Sequence, residues 1–161
     1  MLQNIKHRDT LTGLYRAKRR NVDAKSIPKA HVQHEVEAGW QVEKRNKNSV
    51  RITRRKPHWV LWEDRVWVLL YKFGFSLLSG QGGAKLLLDP QVAGGASNQI
   101  DVVGIDDEIA IAIECKSAES WGRRVQFSQE VAKHGGIREK FINMVNVQYG
   151  TTHKRQAFKR R

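Results

Sequence analysis

Two short apolar runs joined by an acidic turn are the feature that most limits how this chain folds. The runs cover residues 99–104 and 109–113, and Asp106-Asp107-Glu108 lies between them. Short apolar runs around a polar turn are typical of a β-hairpin. If Asp107-Glu108 is a two-residue loop, Asp106 faces Ile109, and the same register places Asp101 directly opposite Glu114.

An aspartate opposite a glutamate needs a physical reason. Directly opposed residues hold their Cβ atoms about 5 Å apart, and like charges placed there repel. A divalent cation between Asp101 and Glu114 is the simplest explanation, because Mg²⁺ is typically held by one or two carboxylates plus water and phosphate. Lys116 lies two residues beyond Glu114, so strand alternation returns it to the same face. A bound metal acidifies water and neutralises charge on phosphorus, and an adjacent lysine assists both.

The pattern Asp101 … Glu114-Cys115-Lys116 resembles the D…ExK signature of the PD-(D/E)xK, or restriction-endonuclease-like, nuclease superfamily. The resemblance implies hydrolysis of DNA with Mg²⁺ or Mn²⁺. It implies that Asp101 and Glu114 are metal ligands, that Lys116 lies beside the attacking water, and that the backbone carbonyl of Cys115 completes the metal shell. The implied fold is α/β (α+β), a central mixed β-sheet flanked by helices. The resemblance covers roughly residues 62–147.

A helix is predicted upstream of the hairpin. Residues 63–75 carry apolar side chains at Val66, Leu69, Leu70 and Phe73, which is the spacing of an amphipathic helix, and Gly74 is a plausible C-cap. Several branches of the resembled family place a metal-associated glutamate near the start of such a helix, which makes Glu63 a candidate catalytic residue. The alternative is an acid that complements the helix dipole. Three tryptophans are predicted to anchor the core around this helix: Trp59, Trp62 and Trp67.

Local sequence patterns also predict the remaining elements of the core. Residues 84–88 are predicted as a strand, the glycines of segment 80–83 as a turn, and residues 125–146 as one helix interrupted or split at Gly135-Gly136. The resembled core also expects a fourth strand after that helix. Residues 145–149 are a poor candidate for it, and residues 156–158 are the later alternative.

The charge of the chain is unevenly distributed. Residues 1–60 hold 15 Lys and Arg against 5 Asp and Glu, residues 154–161 hold five basic residues and no acid, and the middle is mildly acidic. Basic flanks around a carboxylate site are the layout expected of a protein that grips phosphates. The alternative is that basic tails confer solubility or form a disordered arm. The candidate nucleic-acid contacts are Arg51, Arg54, Arg55, Lys56, Arg123 and Arg124.

The first 60 residues are predicted to form a basic N-terminal extension. Residues 2–21 could be a basic helix, 31–38 a short helix ended by Gly39, and 40–44 with 49–54 a basic hairpin. Such a hairpin could lie on a nucleic-acid backbone, or it could be a sheet edge protected by lysines. The predicted division is therefore an extension over 1–60, a nuclease-like core over 61–150 and a basic tail over 151–161.

Several classes of protein are excluded by composition. One cysteine and six histidines give neither a disulfide framework nor a zinc cluster. Cys115 alternates away from Glu114 and Lys116, so a core thiol is favoured over a nucleophile. No apolar run approaches 18 residues and no signal-peptide segment is present, so a cytoplasmic protein without a membrane partner is expected.

Three functions stay open at this point. The first is a metal-dependent nuclease acting on DNA, most simply duplex DNA, in restriction, anti-phage defence or DNA repair. The second is a nuclease-like module that binds or targets DNA without cutting it. The third is a general basic nucleic-acid- or ribosome-associated protein. Cutting both strands usually calls for two active sites, which leaves a homodimer open, as is membership of a larger multidomain protein or defence complex.

Overall fold

The computed structural model describes residues 1–87, 97–116 and 127–150. Its helices are α1 (Thr12–Lys18), α2 (Val32–Glu37), α3 (His58–Phe73) and α4 (Phe127–Tyr149). Its strands are β1 (Leu2–Gln3), β2 (Ile5–His7), β3 (Val22–Pro28), β4 (Gln41–Arg45), β5 (Ser49–Arg55), β6 (Leu77–Ser79), β7 (Ala84–Leu87), β8 (Ser97–Ile100), β9 (Val102–Ile105) and β10 (Ala110–Ile113). The chain therefore has mixed helical and extended structure of the α+β class.

Two small sheets lie side by side, and the chain crosses between them at three places. One has the order β1-β7-β8 and the other β10-β9-β6-β2. The chain passes from one sheet to the other at Asn4, at residues 80–83 and at Asp101. Every strand pair in the described part of the chain is antiparallel. The prediction of a mixed central sheet is wrong for these residues, because neighbouring strands run in opposite directions through the hairpin and the bends.

The bend beside Asp101 is built by one asparagine and one glycine. Asn4 has a φ of 61°, and its side-chain amide donates to the carbonyl oxygens of Gln81 and Gly83 at 2.9 and 2.6 Å. A Cβ on Gly83 would lie 2.4 Å from the carbonyl oxygen of Ile100, so the two strands approach too closely for a side chain. Irregularities of this kind often lie beside functional sites, where they redirect a side chain.

Helix α3 ends where predicted but begins at His58, five residues before the predicted start, and it buries a different face. It ends at Gly74, whose φ of 93° is the left-handed conformation of a C-cap. Its buried residues are Asp64, Trp67 and Leu70. Leu69 and Phe73, predicted to face the core, are exposed, as are two of the three predicted tryptophan anchors, Trp59 and Trp62.

The first 18 residues belong to the core. β1 pairs with β7 and β2 pairs with β6, and the side chains of Leu2 and Leu11 are buried in the two main apolar clusters. The predicted helix over residues 2–21 is therefore wrong, except for α1. The predicted domain boundary at residue 60 also differs from the packing, because strand pairing with residues about 80 positions away ties the N-terminus to the core.

Residues 22–55 form a third sheet, which has its own apolar cluster. The order is β3-β5-β4, and the buried residues are Ile27, Val50 and Ile52. The predicted hairpin is confirmed as β4 and β5, and the predicted short helix is confirmed as α2, followed by Gly39 at a φ of 87°. Strand β3 was not predicted.

Helix α4 runs without a break through Gly135 and Gly136 and ends at Tyr149. Its residues Phe141 and Val145 pack on the sheet, and Gln148 exchanges two hydrogen bonds with the backbone of Leu2 on the edge strand β1. Residues 145–149 are thus helical and do not form the fourth strand. The N-terminal strands β1 and β2 pair with β7 and β6. The late strand predicted over 156–158 lies outside the described residues. No helix in the described ranges has the length and apolar character needed to cross a bilayer.

Candidate active site

The hairpin that carries the site has the register predicted from the sequence. Its pairs run from Ile105 with Ala110 to Val102 with Ile113. The Asp106 amide donates to the Ile109 carbonyl at 2.9 Å, and the Asp106 carboxylate accepts from the amides of the turn, which fixes the two-residue loop. Continued by one residue on each strand, this register brings Asp101 opposite Glu114.

Asp101 lies between β8 and β9. Its side chain links the start of β9 to the segment that follows β10, beyond the last backbone pair of the hairpin. Its Oδ2 accepts a hydrogen bond from the Cys115 amide at 2.7 Å. The carboxyl is half-buried beside the bend at Gly83. The side chain is thereby held at the end of the hairpin, next to the residues of the Glu-Cys-Lys segment.

A third carboxylate joins from α3. Burial raises the pKa of Glu63, and the charges of Asp101 and Glu114 raise it further against the opposing effect of Lys18. Burial also raises the pKa of Asp101, although the hydrogen bond from the Cys115 amide opposes the shift, and Glu114 adds repulsion. Glu63, Asp101 and Glu114, here called the carboxylate cluster, therefore lie near enough for their charges to interact.

Two side chains, those of Lys116 and His134, contact Glu114 of this cluster. Lys116 Nζ lies 2.8 Å from Glu114 Oε1, which agrees with the prediction that the two share a face. His134 on α4 places its Nε2 3.6 Å from Glu114 Oε2. No sequence pattern indicates His134, because only the packing of α4 on the sheet brings it to the hairpin.

The Cys115 side chain does not take part in this chemistry as a nucleophile. Burial, followed by the nearby charges of Asp101, Glu63 and Glu114, raises the pKa of the thiol to about 12. A thiolate is the reactive form of cysteine, so a thiol with this pKa is inert at neutral pH. The side chain packs against the cluster around Trp67, as predicted for a core thiol.

Asp64, next to Glu63, has a different environment. Its carboxylate is only 4% exposed and accepts from Lys18 at 2.6 Å and from Lys56 at 2.7 Å. Lys56 also donates to the carbonyl of Ala17 at 2.9 Å and is 6% exposed. The prediction that Lys56 contacts nucleic acid disagrees with this placement, because its ammonium is buried and engaged within the protein.

The other predicted nucleic-acid contacts lie on strand β5 of the third sheet or outside the described residues. Arg51 pairs with Glu43 at 2.6 Å, and Arg54 stacks over Trp40 with 4.8 Å between the guanidinium carbon and the ring centre. Arg54 and Arg55 line an open groove of about 490 Å³, and both are exposed. Arg123 and Arg124 lie outside the described residues.

The carboxylate cluster has the donor chemistry that a hard divalent cation requires. Across residues 1–87, 97–116 and 127–150, no three His, Cys, Asp or Glu side chains are placed as a complete metal-ligand set. Mg²⁺ does not require such a set, because it typically takes one or two carboxylates and fills its shell with water and substrate phosphate. Burial and neighbouring carboxylates raise the pKa values of the half-buried Glu63 and Asp101, which is an electrostatic setting that a bound cation would relieve.

No family model, curated protein or solved structure matches this chain.

Proposed function

We propose that this chain is a divalent-metal-dependent nuclease that hydrolyses DNA phosphodiester bonds, with a restriction-endonuclease-like core. The observation that carries the proposal is the carboxylate cluster. Glu63, Asp101 and Glu114 come from a helix and two strands of the core and interact through their charges. Maintaining like charges together costs free energy that a bound cation would recover.

The residues that would hold Mg²⁺ or Mn²⁺ are Asp101, Glu114 and the backbone carbonyl of Cys115, with Glu63 as a further carboxylate. When bound, the metal would acidify a water and neutralise charge that develops on the phosphate. The chain's own contribution is positional. The Cys115 amide orients Asp101, and the fixed hairpin turn holds Glu114 opposite it.

Lys116 supplies a positive charge beside the cluster. Its ammonium lies against Glu114 and has three donors with which to orient a water or counter a phosphate oxygen. His134 contacts the other oxygen of the same carboxylate and limits its rotation. Glu114 is therefore oriented from two sides, and Asp101 from one.

The substrate in this proposal is double-stranded DNA held by basic surfaces around the acidic centre. The third sheet carries exposed Arg54 and Arg55 beside an open groove, and Arg51 is partly exposed on β5. Phosphate contacts of this kind give binding that is strong at low salt and independent of sequence. A role in restriction, anti-phage defence or DNA repair, in the cytoplasm, alone or within a larger protein or defence complex, extends the same proposal.

One observation favours a second function, a nuclease-like module that binds or targets DNA without cutting it. The ammonium of Lys116 already neutralises Glu114 within the chain. A site that holds no metal would need such an internal cation. Cleavage and binding must therefore be measured separately.

Nicking of supercoiled plasmid DNA separates the two functions. The wild-type chain is expected to nick DNA with Mg²⁺ or Mn²⁺ and to be inactive with EDTA. Asp101→Ala, Glu114→Ala and Lys116→Ala should each abolish nicking and leave binding intact. Asp107→Asn, in the exposed turn of the same hairpin, is the matched control and should remain active. Tight binding with no cleavage in any divalent metal would overturn the nuclease and favour the binding module.

A further inference from the structure

Helix α3 exposes an apolar stripe that the described part of the chain does not cover. Its members are Trp59, Trp62, Val66, Leu69 and Phe73, here called the α3 stripe. Trp59, Trp62, Leu69 and Phe73 are 56%, 43%, 49% and 71% exposed, and Val66 is half-buried beside them. Single exposed apolar residues are ordinary, but four along one helix, with half-buried Val66 between them, mark an interaction surface.

The spacing of the stripe identifies the kind of surface that it fits. Intervals of three, four, three and four residues keep side chains on one narrow line along a helix, which is the seam by which two helices pack. Over 14 residues this line is about 21 Å long. The stripe therefore suits a second helix of similar length, laid along it at a small angle.

The stripe is also nearly symmetrical about its centre. Trp59 and Phe73 lie seven residues on either side of Val66, while Trp62 lies four before it and Leu69 three after it. A two-fold axis at Val66 would place Trp59 against Phe73 of a second copy, and Trp62 against its Leu69. Self-complementarity of this kind is what an isologous dimer interface requires.

We infer that two copies of this chain pair through antiparallel α3 helices, with the two-fold axis at Val66. At roughly 150–250 Å² for a whole aromatic side chain, the exposed fractions of Trp59, Trp62 and Phe73 leave about 350 Å² of apolar surface per copy. Two copies remove about twice that area, and polar residues at the rim bring the contact near the roughly 1,000 Å² of a small specific interface. The dimer is therefore reversible and depends on protein concentration.

The charges beside the stripe determine how the dimer responds to salt. Helical geometry places His58, Arg65 and Lys72 along one side of the stripe and Glu63 along the other. In an antiparallel pair the cationic sides of the two copies face each other, so their repulsion opposes association at low salt. Salt screens it, and self-association strengthens as salt rises, whereas DNA binding weakens. Because salt strengthens self-association and weakens DNA binding, the two properties can be tested separately. The inferred dimer does not depend on the proposed nuclease activity.

Sedimentation of the purified chain tests the inference. At about 0.5 M NaCl, where the screening length is only a few Å, the mass should rise with concentration from 18.5 kDa towards twice that value. Leu69→Glu and Phe73→Glu should each raise the dissociation constant at least about tenfold, because each places a carboxylate in the seam. Val147→Glu, at a 77% exposed valine of α4, is the matched control and should not.

The outcomes are distinct. A wild-type chain that stays monomeric at high concentration and high salt overturns the inference, as does a dimer that both stripe variants leave intact. Because Leu69 and Phe73 are exposed, circular dichroism should show both variants folded.

The antiparallel register is tested by cross-linking. Trp62→Cys mixed with Leu69→Cys should form a disulfide between copies, since that bond requires Cα atoms within about 7 Å. Each variant alone should not cross-link with itself. Efficient cross-linking within either single variant would contradict the register, and the inert thiol of Cys115 does not interfere.

Discussion

Two acidic regions begin at adjacent residues of α3 and have opposite electrostatic designs. Asp64 is buried, and the ammonium groups of Lys18 and Lys56 occupy both of its oxygens. Glu63 lies within range of the charges of Asp101 and Glu114, and burial together with these like charges raises its pKa. The first region is neutralised within the chain and stabilises the fold, whereas the second brings like charges together, and a bound cation would offset their repulsion. Burial alone therefore does not identify a functional carboxylate, and the sign of its neighbours is the better guide.

The largest expected effect comes from neutralising the carboxylate cluster. Asp101→Asn keeps the shape of the side chain and an oxygen to accept from the Cys115 amide, but it removes the charge. DNA cleavage should fall at least about 100-fold, because a bound cation supplies several kcal/mol of transition-state stabilisation. Cleavage rates with saturating Mg²⁺ measure the effect. An Asp101→Asn protein as active as the wild type would remove the distinction between the two regions.

Neutralising Asp64 should instead affect stability. Asp64→Asn leaves Lys18 and Lys56 without their shared counter-charge, and breaking a buried ion pair from one side costs about 3–5 kcal/mol. Urea unfolding should show this loss, while cleavage by the fraction that remains folded should change little. A stability close to that of the wild type would contradict the account of Asp64.

A neighbouring pair of basic residues sharpens the same comparison. Lys56→Met should lower the free energy of unfolding by about 1.5–3 kcal/mol, the usual contribution of a hydrogen bond to a charged group. Arg55→Met, at the next position but exposed, should leave stability unchanged. It should reduce the salt slope of DNA binding by about one, as expected for one lost phosphate contact. Equal effects of the two variants on DNA binding would show that Lys56 is not confined to the interior.

The pH dependence of stability should also distinguish the regions. The pKa values of Glu63 and Asp101 are raised in the folded state, so between about pH 4, where unfolded carboxyls titrate, and their folded pKa values the folded state binds more protons. Their contribution to stability therefore falls as the pH rises through that window. Without divalent metal, Asp101→Asn should gain stability relative to the wild type between pH 4 and pH 7. Urea titrations at both pH values measure the change, and a gain on lowering the pH below 4 instead would contradict it.

The smallest effect is expected at His134. Its contact with Glu114 is 3.6 Å, longer than a good hydrogen bond, so it restrains that carboxylate only weakly. His134→Ala should reduce cleavage by less than about tenfold, and His134→Gln should recover part of the loss. A loss as large as that of Asp101→Asn would place His134 in direct contact with the reaction.

Local rules predicted the hairpin well. Strand alternation and a two-residue loop fix the register of β9 and β10 as far as Val102 and Ile113, the residues next to Asp101 and Glu114, and Asp106 locks the turn through its own side chain. Gly74 likewise marks the end of α3, since the C-cap needs a positive φ. These features depend on residues a few positions apart, which is the range that a sequence pattern describes.

Long-range packing was beyond the same rules. Strands β1 and β2 pair with residues more than 70 positions away, and no local pattern in a short, polar segment indicates that partner. The apolar residues of α3 form two stripes, and the sequence does not show which stripe the core takes. The core buries Trp67 and Leu70, and the stripe at Leu69 and Phe73 faces outward. The pairing of Asp64 with Lys18 and Lys56 depends on the same tertiary contacts.

Calorimetric titration of the metal-free protein with Mn²⁺ tests the central claim most directly, since it asks whether the carboxylate cluster binds a cation before any DNA is present. Saturable binding is expected for the wild type and for the control Asp107→Asn, and its loss is expected for Asp101→Asn and for Glu114→Gln. Binding of equal affinity and stoichiometry in all four proteins, or in none of them, would contradict the account.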